Sequence, residues 1–214
     1  MESPLRPPAD QGFRLIETML WTPEGGFQRG DVHRKRLAFA ARRLGIAPAG
    51  VEAALAAFTA DGPRRVRLTV DADGMPEITH APYTPLPEGT VWRLAVAETR
   101  LDADDPWLGV KTTQRQLYDR DRAAMPADVD ELIYLNGAGH VCEGTITNVF
   151  ADLGQGLVTP PISDGLLPGV LRSSLICAGK VRIQHLTLDD LLNAGEIYVG
   201  NSLRGLITSV LQGA

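Results

Sequence analysis

A proline-rich segment near the middle of the chain sets the strongest limit on what it can fold into. Residues 81–89, Ala-Pro-Tyr-Thr-Pro-Leu-Pro-Glu-Gly, contain three prolines and a glycine, which interrupt helices and strands and are typical of a linker. A boundary here divides the 214 residues into a small N-terminal part, residues 1–84, and a larger part, residues 85–214. At about 100–200 residues per domain, the length allows two small domains that share an interface.

The N-terminal part combines strands and helices. Alternating apolar residues over 65–70 predict a strand, and Asp71-Ala-Asp-Gly74 predicts the turn of a hairpin. Asp31 is a suitable N-cap for a stretch with helical apolar spacing that ends before Gly45. The predicted elements are a strand over 13–21, the helix opened by Asp31, an Ala-rich helix over 48–58, and strands over 65–70 and 77–80. This order of elements indicates an α+β fold.

The larger part alternates apolar, strand-like segments with helical ones. Asp190 follows Thr187 by three residues, which is the spacing of a capping box at the start of a helix. The turn residues Asn136-Gly-Ala-Gly139 separate two apolar runs. The predicted strands cover 91–97, 132–135, 141–151, 181–185 and 206–211, and the predicted helices cover 114–124, 169–178 and the stretch after Thr187. The larger part is therefore also mixed α and β structure.

Composition argues against several classes of protein. The chain has 21 basic and 26 acidic residues, a net charge of −5, so we expect neither nucleic acid nor an anionic membrane as its partner. Its two cysteines, Cys142 and Cys177, are too few for a disulfide framework and fit a reducing, cytoplasmic location. The N-terminal residues lack the apolar core of an export signal, and no apolar stretch approaches the length of a membrane span.

Two residues are candidates for chemistry. Lys111 lies among small and polar residues ahead of the predicted helix 114–124; a lysine there is either solvated or, in a partly apolar site, a nucleophile or Schiff-base former. Glu143 lies inside an apolar, β-branched segment, where an ionised carboxylate needs a partner. That partner is either a nearby arginine or the protonated ring nitrogen of a cofactor.

Other segments are suited to an anion. Pro168-Gly169 opens a predicted helix, so the amides of Val170 and Leu171 are free to face a phosphate. Gly200-Asn-Ser202 offers a second turn with free amides, and the basic segment 33–37 offers cations. The four histidines lack metal-ligand spacing, so we expect them to be structural or exposed and expect no metal site. They are His33, His80, His140 and His185.

Six motifs follow one another along nearly the whole chain. They are Phe13 to Glu17-Thr18, His33-x-x-Arg36-Leu37, Lys111-Thr-Thr-x-Arg115, Glu143-Gly-Thr-x-Thr-Asn148, Leu167-Pro-Gly-Val-Leu-Arg172 and Gly200-Asn-Ser-Leu-Arg-Gly205. In kind and order they resemble the class IV aminotransferase family, the fold-type IV enzymes that use pyridoxal 5′-phosphate (PLP). The resemblance implies a two-domain fold of the D-amino acid aminotransferase type, with a small N-terminal α/β domain and a larger C-terminal domain that carries the Schiff-base lysine.

The same resemblance implies a role for each site residue. Lys111 would form the Schiff base with the cofactor and move protons, and Glu143 would contact the pyridine nitrogen. Four residues would contact the phosphate: Arg36, Val170, Leu171 and Asn201. The family also implies a homodimer whose site lies between the two domains and near the partner subunit.

The resemblance also bears on the reaction. Lys111-Thr-Thr and Asn201-Ser-Leu-Arg are most similar to the branch that contains 4-amino-4-deoxychorismate lyase, which implies formation of 4-aminobenzoate, a folate precursor, and pyruvate. Branched-chain and D-amino acid aminotransferases are the sister branches, so an aminotransferase is the alternative. A catalytically silent cofactor-binding protein is a third reading, against which the presence of both Lys111 and Glu143 argues. The sequence leaves elimination and transamination open.

Overall fold

The computed structural model describes residues 5–6 and 12–213, and their contacts divide the chain into two compact units. The first unit contains the residues up to Pro85 together with Val110–Gln114, and the second contains Leu86–Gly109 and the residues from Arg115 onward. The chain thus leaves the first unit inside the proline-rich segment. Lys111 belongs to the first unit, whereas we expected the larger domain, 85–214, to carry it.

The described residues of the first unit form a four-stranded antiparallel sheet and two helices. The sheet order is β2-β1-β3-β4. The strands are β1 (Arg14–Thr22), β2 (Gly26–Phe27), β3 (Arg64–Asp71) and β4 (Pro76–Pro82), and the helices are α1 (Gly30–Leu44) and α2 (Val51–Ala56). The edge of β1 that pairs with β2 also forms an antiparallel bridge between Leu15 and Thr112. This bridge explains why the lysine segment joins the first unit.

Helix α1 buries one face against the sheet and ends as predicted. Gly45 takes the left-handed C-cap conformation with a φ of 67°, which glycine adopts at little cost. The helix begins two residues earlier than predicted, with Arg29 as the N-cap at a φ of 54° and without a side-chain cap. The prediction of Asp31 as N-cap was therefore wrong. Asp31 lies in the first helical turn, where its charge still suits the positive end of the helix dipole.

In the second unit, the residues that the structure describes form one sheet of eight strands. The sheet order is β10-β9-β8-β11-β12-β5-β6-β7, and β7 pairs additionally with β8. The strands are β5 (Val91–Leu101), β6 (Glu131–Asn136), β7 (Val141–Gly144), β8 (Asn148–Asp152), β9 (Leu157–Thr159), β10 (Arg182–Ile183), β11 (Glu196–Asn201) and β12 (Gly205–Leu211). The helices are α3 (Gln116–Ala123), α4 (Val170–Cys177) and α5 (Leu188–Leu192), with a 3₁₀ turn at Ile162–Asp164.

The pairing of β7 with β8 closes six of these strands, β8-β11-β12-β5-β6-β7, into a ring. Closure leaves no free edge within the ring. Apolar residues of the ring strands form the main core of the unit, including the fully buried Leu94, Ile133, Val149 and Val199. Among the described residues, no helix combines the length and apolar character needed to cross a bilayer.

The predicted strand 141–151 is broken in the structure into β7 and β8. The break lies at Gly144, whose amide donates to the Thr147 carbonyl at 2.8 Å and closes a turn. A Cβ at Gly144 would lie 2.9 Å from Cδ of Glu131, so only glycine fits there. The continuous apolar and β-branched pattern conceals this turn. In contrast, the capping box of Thr187 and Asp190 at the start of α5 is confirmed.

Candidate functional site

Lys111 lies on a short extended segment that is fixed to β1 from the Lys111 carbonyl to Thr113. The Lys111 carbonyl accepts from the Ile16 amide at 2.9 Å, and the Thr113 amide donates to the Arg14 carbonyl at 2.9 Å. The Thr113 hydroxyl in turn accepts from the Arg14 amide at 3.0 Å. The Lys111 side chain is half-buried. The backbone that carries this lysine is therefore held against β1.

Arg36, also in the first unit, forms a buried ion pair with Glu17 of β1. Arg36 Nε donates to Glu17 Oε1 at 2.8 Å, and Nη2 donates to Oε2 at 2.6 Å. His33 Nδ1 lies 2.5 Å from the same Oε2. Burial alone would raise the pKa of Glu17, but Arg36 and His33 outweigh it and hold that pKa below its usual value. Glu17 is therefore ionised at neutral pH and orients the guanidinium of Arg36.

His33 is structural, as predicted. Its side chain is only 1% exposed, and burial lowers its pKa despite the contact with Glu17. The ring is therefore neutral at neutral pH, and its Nδ1–H donates to the ionised Glu17 carboxylate. His33 and Arg36 together satisfy the buried carboxylate of Glu17.

Glu143, in the second unit, lies at the end of β7 with both carboxylate oxygens engaged. Oε1 accepts from the Tyr118 hydroxyl at 2.7 Å, and Oε2 accepts from the Leu167 amide at 3.0 Å. Burial, followed by the charge of Glu143, raises the pKa of Tyr118 far above its usual value, so the phenol stays protonated and donates. Glu143 itself is 6% exposed. The two donors occupy both oxygens and hold the carboxylate in one orientation.

The turn that follows Glu143, residues 144–147, is held by the buried carboxylate of Glu131. This residue is fully buried at the start of β6. Its Oε1 accepts from the Thr145 amide at 3.1 Å and hydroxyl at 2.5 Å, and its Oε2 accepts from the Thr147 hydroxyl at 2.9 Å. Arg122 adds an ion pair at 3.3 Å. Glu131 thus fixes the turn whose first residue follows Glu143.

Asn148 links the start of β8 to the segment that leads into α4. Its Nδ2 donates to the Leu167 carbonyl at 3.0 Å, so Leu167 is held at its carbonyl by Asn148 and at its amide by Glu143. A Cβ on Gly169 would lie 1.8 Å from Asn148 Oδ1. Gly169 has a φ of −63°, which any residue can adopt. Glycine is therefore required here because there is no room for a Cβ, and not because of the backbone angles.

Helix α4 offers an anion site at its N-terminus. Gly169 is its N-cap and supplies no side-chain cap, so the amides of Val170 and Leu171 have no acceptor within the helix. Arg172, in the same turn, is 3% exposed; one nitrogen donates to the Pro160 carbonyl at 2.7 Å, and its Nε is buried without a hydrogen-bond partner. Uncapped amides and a buried positive charge favour a bound anion.

Asn201 lies at the end of β11, and its side chain organises the turn before β12. Oδ1 accepts from the amides of Leu203 and Arg204 at 3.1 and 3.0 Å. Nδ2 donates to the Ile146 carbonyl at 3.2 Å. Asn201 therefore joins its own turn to the turn 144–147.

Within the second unit, the predicted residues converge on a single region. Glu143 and Asn201 both connect to the turn 144–147, and Glu143 also binds the segment that opens α4. Sequence reasoning assigned no role to the residues that hold this region together, which are Tyr118, Glu131 and Asn148. One signal was available: Glu131 stands at the start of an apolar strand, and a buried carboxylate there requires hydrogen-bond donors.

The whole arrangement matches a known family. A model of class IV aminotransferases matches residues 14–210. The chain belongs to this family. It therefore has the fold of the fold-type IV enzymes, as predicted, a family whose members use PLP.

Solved structures and sequence relatives agree with this assignment. A Mesorhizobium loti protein named as an amino-acid aminotransferase is 43% identical, with a TM-score of 0.87, covering 93% of this chain and 99% of that one. A Mycobacterium tuberculosis protein described as a hypothetical aminotransferase, solved with PLP bound, shares the fold at 22% identity and a TM-score of 0.77, covering 98% and 86%. An aminodeoxychorismate lyase from Vibrio harveyi is 30% identical over 124 residues, 53% of this chain and 44% of that protein.

The matched segments span only part of the curated relatives, between 27% and 46% of their lengths. The residues of the second unit nevertheless fit the cofactor. The phosphate group of PLP carries a charge of about −2. The uncapped start of α4 and the buried Arg172 are suited to such an anion. The pyridine nitrogen of PLP calls for a fixed carboxylate, and Glu143 is one.

Proposed function

We propose that the enzyme is a lyase that converts 4-amino-4-deoxychorismate to 4-aminobenzoate and pyruvate. The main observation behind the proposed chemistry is the Glu143 carboxylate, whose two oxygens accept from the Tyr118 hydroxyl and the Leu167 amide. Support for the substrate comes from the relatives, since three of the four curated matches are named as aminodeoxychorismate lyases.

Glu143 and Lys111 have different tasks in this proposal. Bound PLP supplies an electron sink for the carbanion formed at the substrate carbon that bears the amino group. Glu143 holds a proton on the pyridine nitrogen through its own negative charge, which Tyr118 and the Leu167 amide keep in position. Lys111 attaches the cofactor and moves the proton at its Nζ.

The residues we propose for the cofactor phosphate are a cation, two backbone amides and Asn201. In the first unit, Glu17 binds Nε and Nη2 of Arg36 and thereby orients this cation, which we assign to the phosphate. In the second unit, the contacts are the amides of Val170 and Leu171, with Asn201 shaping the neighbouring turn. Arginine and helix amides are the donors that phosphate groups prefer in proteins.

Replacing Arg36 with alanine should raise the dissociation constant for PLP by about 10-fold or more, because charged hydrogen bonds to the phosphate are lost. Arg34→Ala is the matched control on the same helix: Arg34 is 37% exposed and pairs with Asp31 and Glu52. Equilibrium binding of PLP, followed by absorbance, measures both.

A second variant separates the phosphate role of Arg36 from its ion pair. Glu17→Gln weakens the ion pair that orients Arg36 but keeps the cation, so PLP affinity should fall much less than in Arg36→Ala even though the melting temperature falls. If PLP affinity falls in both Glu17→Gln and Arg36→Ala, and falls in proportion to the loss of stability, then Arg36 only supports the fold.

A class IV aminotransferase is the second candidate, and the Mesorhizobium loti neighbour named as an amino-acid aminotransferase favours it. The two reactions differ in how many substrates they require. A lyase completes its turnover with one substrate, whereas an aminotransferase needs an amino donor and then a 2-oxo acid acceptor.

We expect the purified enzyme to release 4-aminobenzoate and pyruvate from aminodeoxychorismate with no 2-oxo acid added. The parallel assay offers branched-chain and D-amino acids with 2-oxoglutarate and measures glutamate. Sustained amino transfer without formation of 4-aminobenzoate would assign the enzyme to the aminotransferases, while leaving the roles of Lys111 and Glu143 unchanged.

A further inference from the structure

Three residues that the cofactor chemistry does not use come together in the second unit. They are His140, which follows the turn after β6, Asp164, which ends the 3₁₀ turn, and His185, which follows β10. Their ligand atoms all lie within 4.8 Å of one another. We propose that they form a binding site for one divalent transition-metal ion.

The distances are those expected between ligands of one ion. His185 Nδ1 lies 2.9 Å from each Asp164 oxygen, and His140 Nδ1 lies 3.4 Å from Oδ1. Zinc binds nitrogen and oxygen ligands at about 2.0–2.1 Å, so ligand angles of about 90–110° separate them by roughly 2.9–3.4 Å. An ion can therefore enter between Asp164 and either imidazole with little movement of the backbone.

Two of the three ligands are held in place. Asp164 is 3% exposed, and its carbonyl accepts from Asn136 Nδ2 and from Cys142 Sγ, each at 3.0 Å. The His140 amide donates to Asn136 Oδ1 at 3.0 Å. The His185 side chain is 59% exposed, which provides an entry path and the freedom to complete the coordination.

The ligand set also indicates which metal binds. Two imidazoles and one carboxylate favour zinc, cobalt or nickel over magnesium and calcium, which prefer oxygen ligands. The ring centroids of His140 and His185 are 4.9 Å apart and the rings are tilted by 42°, and both Nδ1 atoms lie near the same carboxylate. Three protein ligands leave a position for water.

Calorimetry with Zn²⁺ and visible spectroscopy with Co²⁺ test the site in the holoenzyme prepared without a histidine tag. We expect one ion per chain. His185→Ala should weaken Zn²⁺ binding by at least about 100-fold, since even the loss of a residue that merely supports a ligand typically costs 10- to 100-fold. His80→Ala, an exposed histidine of the first unit, is the matched control and should bind Zn²⁺ like the unchanged chain.

Thermal melts give a second readout. Zn²⁺ should raise the melting temperature of the unchanged chain and of His80→Ala, but not that of His185→Ala. Because His185 is exposed, the folded state should tolerate its replacement. The proposal is overturned if the unchanged chain binds no Zn²⁺ at micromolar concentration, if His185→Ala binds it equally well, or if binding is lost in Cys177→Ser instead.

Discussion

Lys111→Ala should purify without the yellow colour of the unchanged enzyme and should turn over at least about 10³-fold more slowly. The lysine amine both attaches the cofactor and moves the proton, and general acid–base catalysis alone is worth 10²- to 10⁴-fold. Melting temperature should change little, because the contacts that fix the segment are made by its backbone and by Thr113. Absorbance spectra and turnover rates measure the two effects.

The chain makes this experiment unusually direct. It has three lysines, Lys35, Lys111 and Lys180, and the first and last are exposed. Borohydride reduction of the holoenzyme should bleach the colour and leave a pyridoxyl group on the peptide that contains Lys111. Lys35→Ala and Lys180→Ala should keep both colour and activity. Recovery of the label on Lys180 would refute the assignment.

Glu143→Gln should reduce turnover by about 10²-fold or more while leaving the fold nearly intact. A neutral amide cannot hold a proton on the pyridine nitrogen, so the cofactor loses its capacity as an electron sink. The amide can still serve both neighbours: its oxygen can accept from the Leu167 amide and its nitrogen can donate to the Tyr118 hydroxyl, which replaces the present contacts. Loss of stability should be about 1 kcal/mol.

Glu131→Gln is the matched control for this result. Both oxygens of Glu131 accept from donors, including amides of the turn 144–147, so a side-chain NH₂ would face donors in either orientation. Stability should fall by about 2–4 kcal/mol, and activity per folded molecule should fall much less than in Glu143→Gln. The catalytic role of Glu143 fails if its variant melts like Glu131→Gln and keeps its activity.

Features set by neighbouring residues were predictable from the sequence. The capping box of α5 and the Gly45 C-cap depend on contacts within a few residues, and both are confirmed. The motif that contains Glu143 was found because a carboxylate in an apolar run requires a partner. The turn 144–147 was not predicted, because its stability comes from Glu131 on a different strand.

Features that depend on contacts between distant segments could not be predicted from the sequence. Lys111 joins the first unit through the bridge between Leu15 and Thr112, which the alternation of apolar residues does not reveal. Asp164 and His185 are separated by 21 residues, and no spacing rule connects them with His140. In each case the deciding contact is long-range, whereas periodicity and capping report only local structure.

The crowding between Gly169 and Asn148 has a consequence for how this enzyme can diverge. A methyl group at position 169 would overlap the amide of Asn148, although the backbone there is one that any residue can adopt. Larger side chains at position 169 are therefore excluded only while the side chain at position 148 is as long as that of asparagine. Across homologues the two positions should covary, and a library that changes one without the other will miss the permitted combinations.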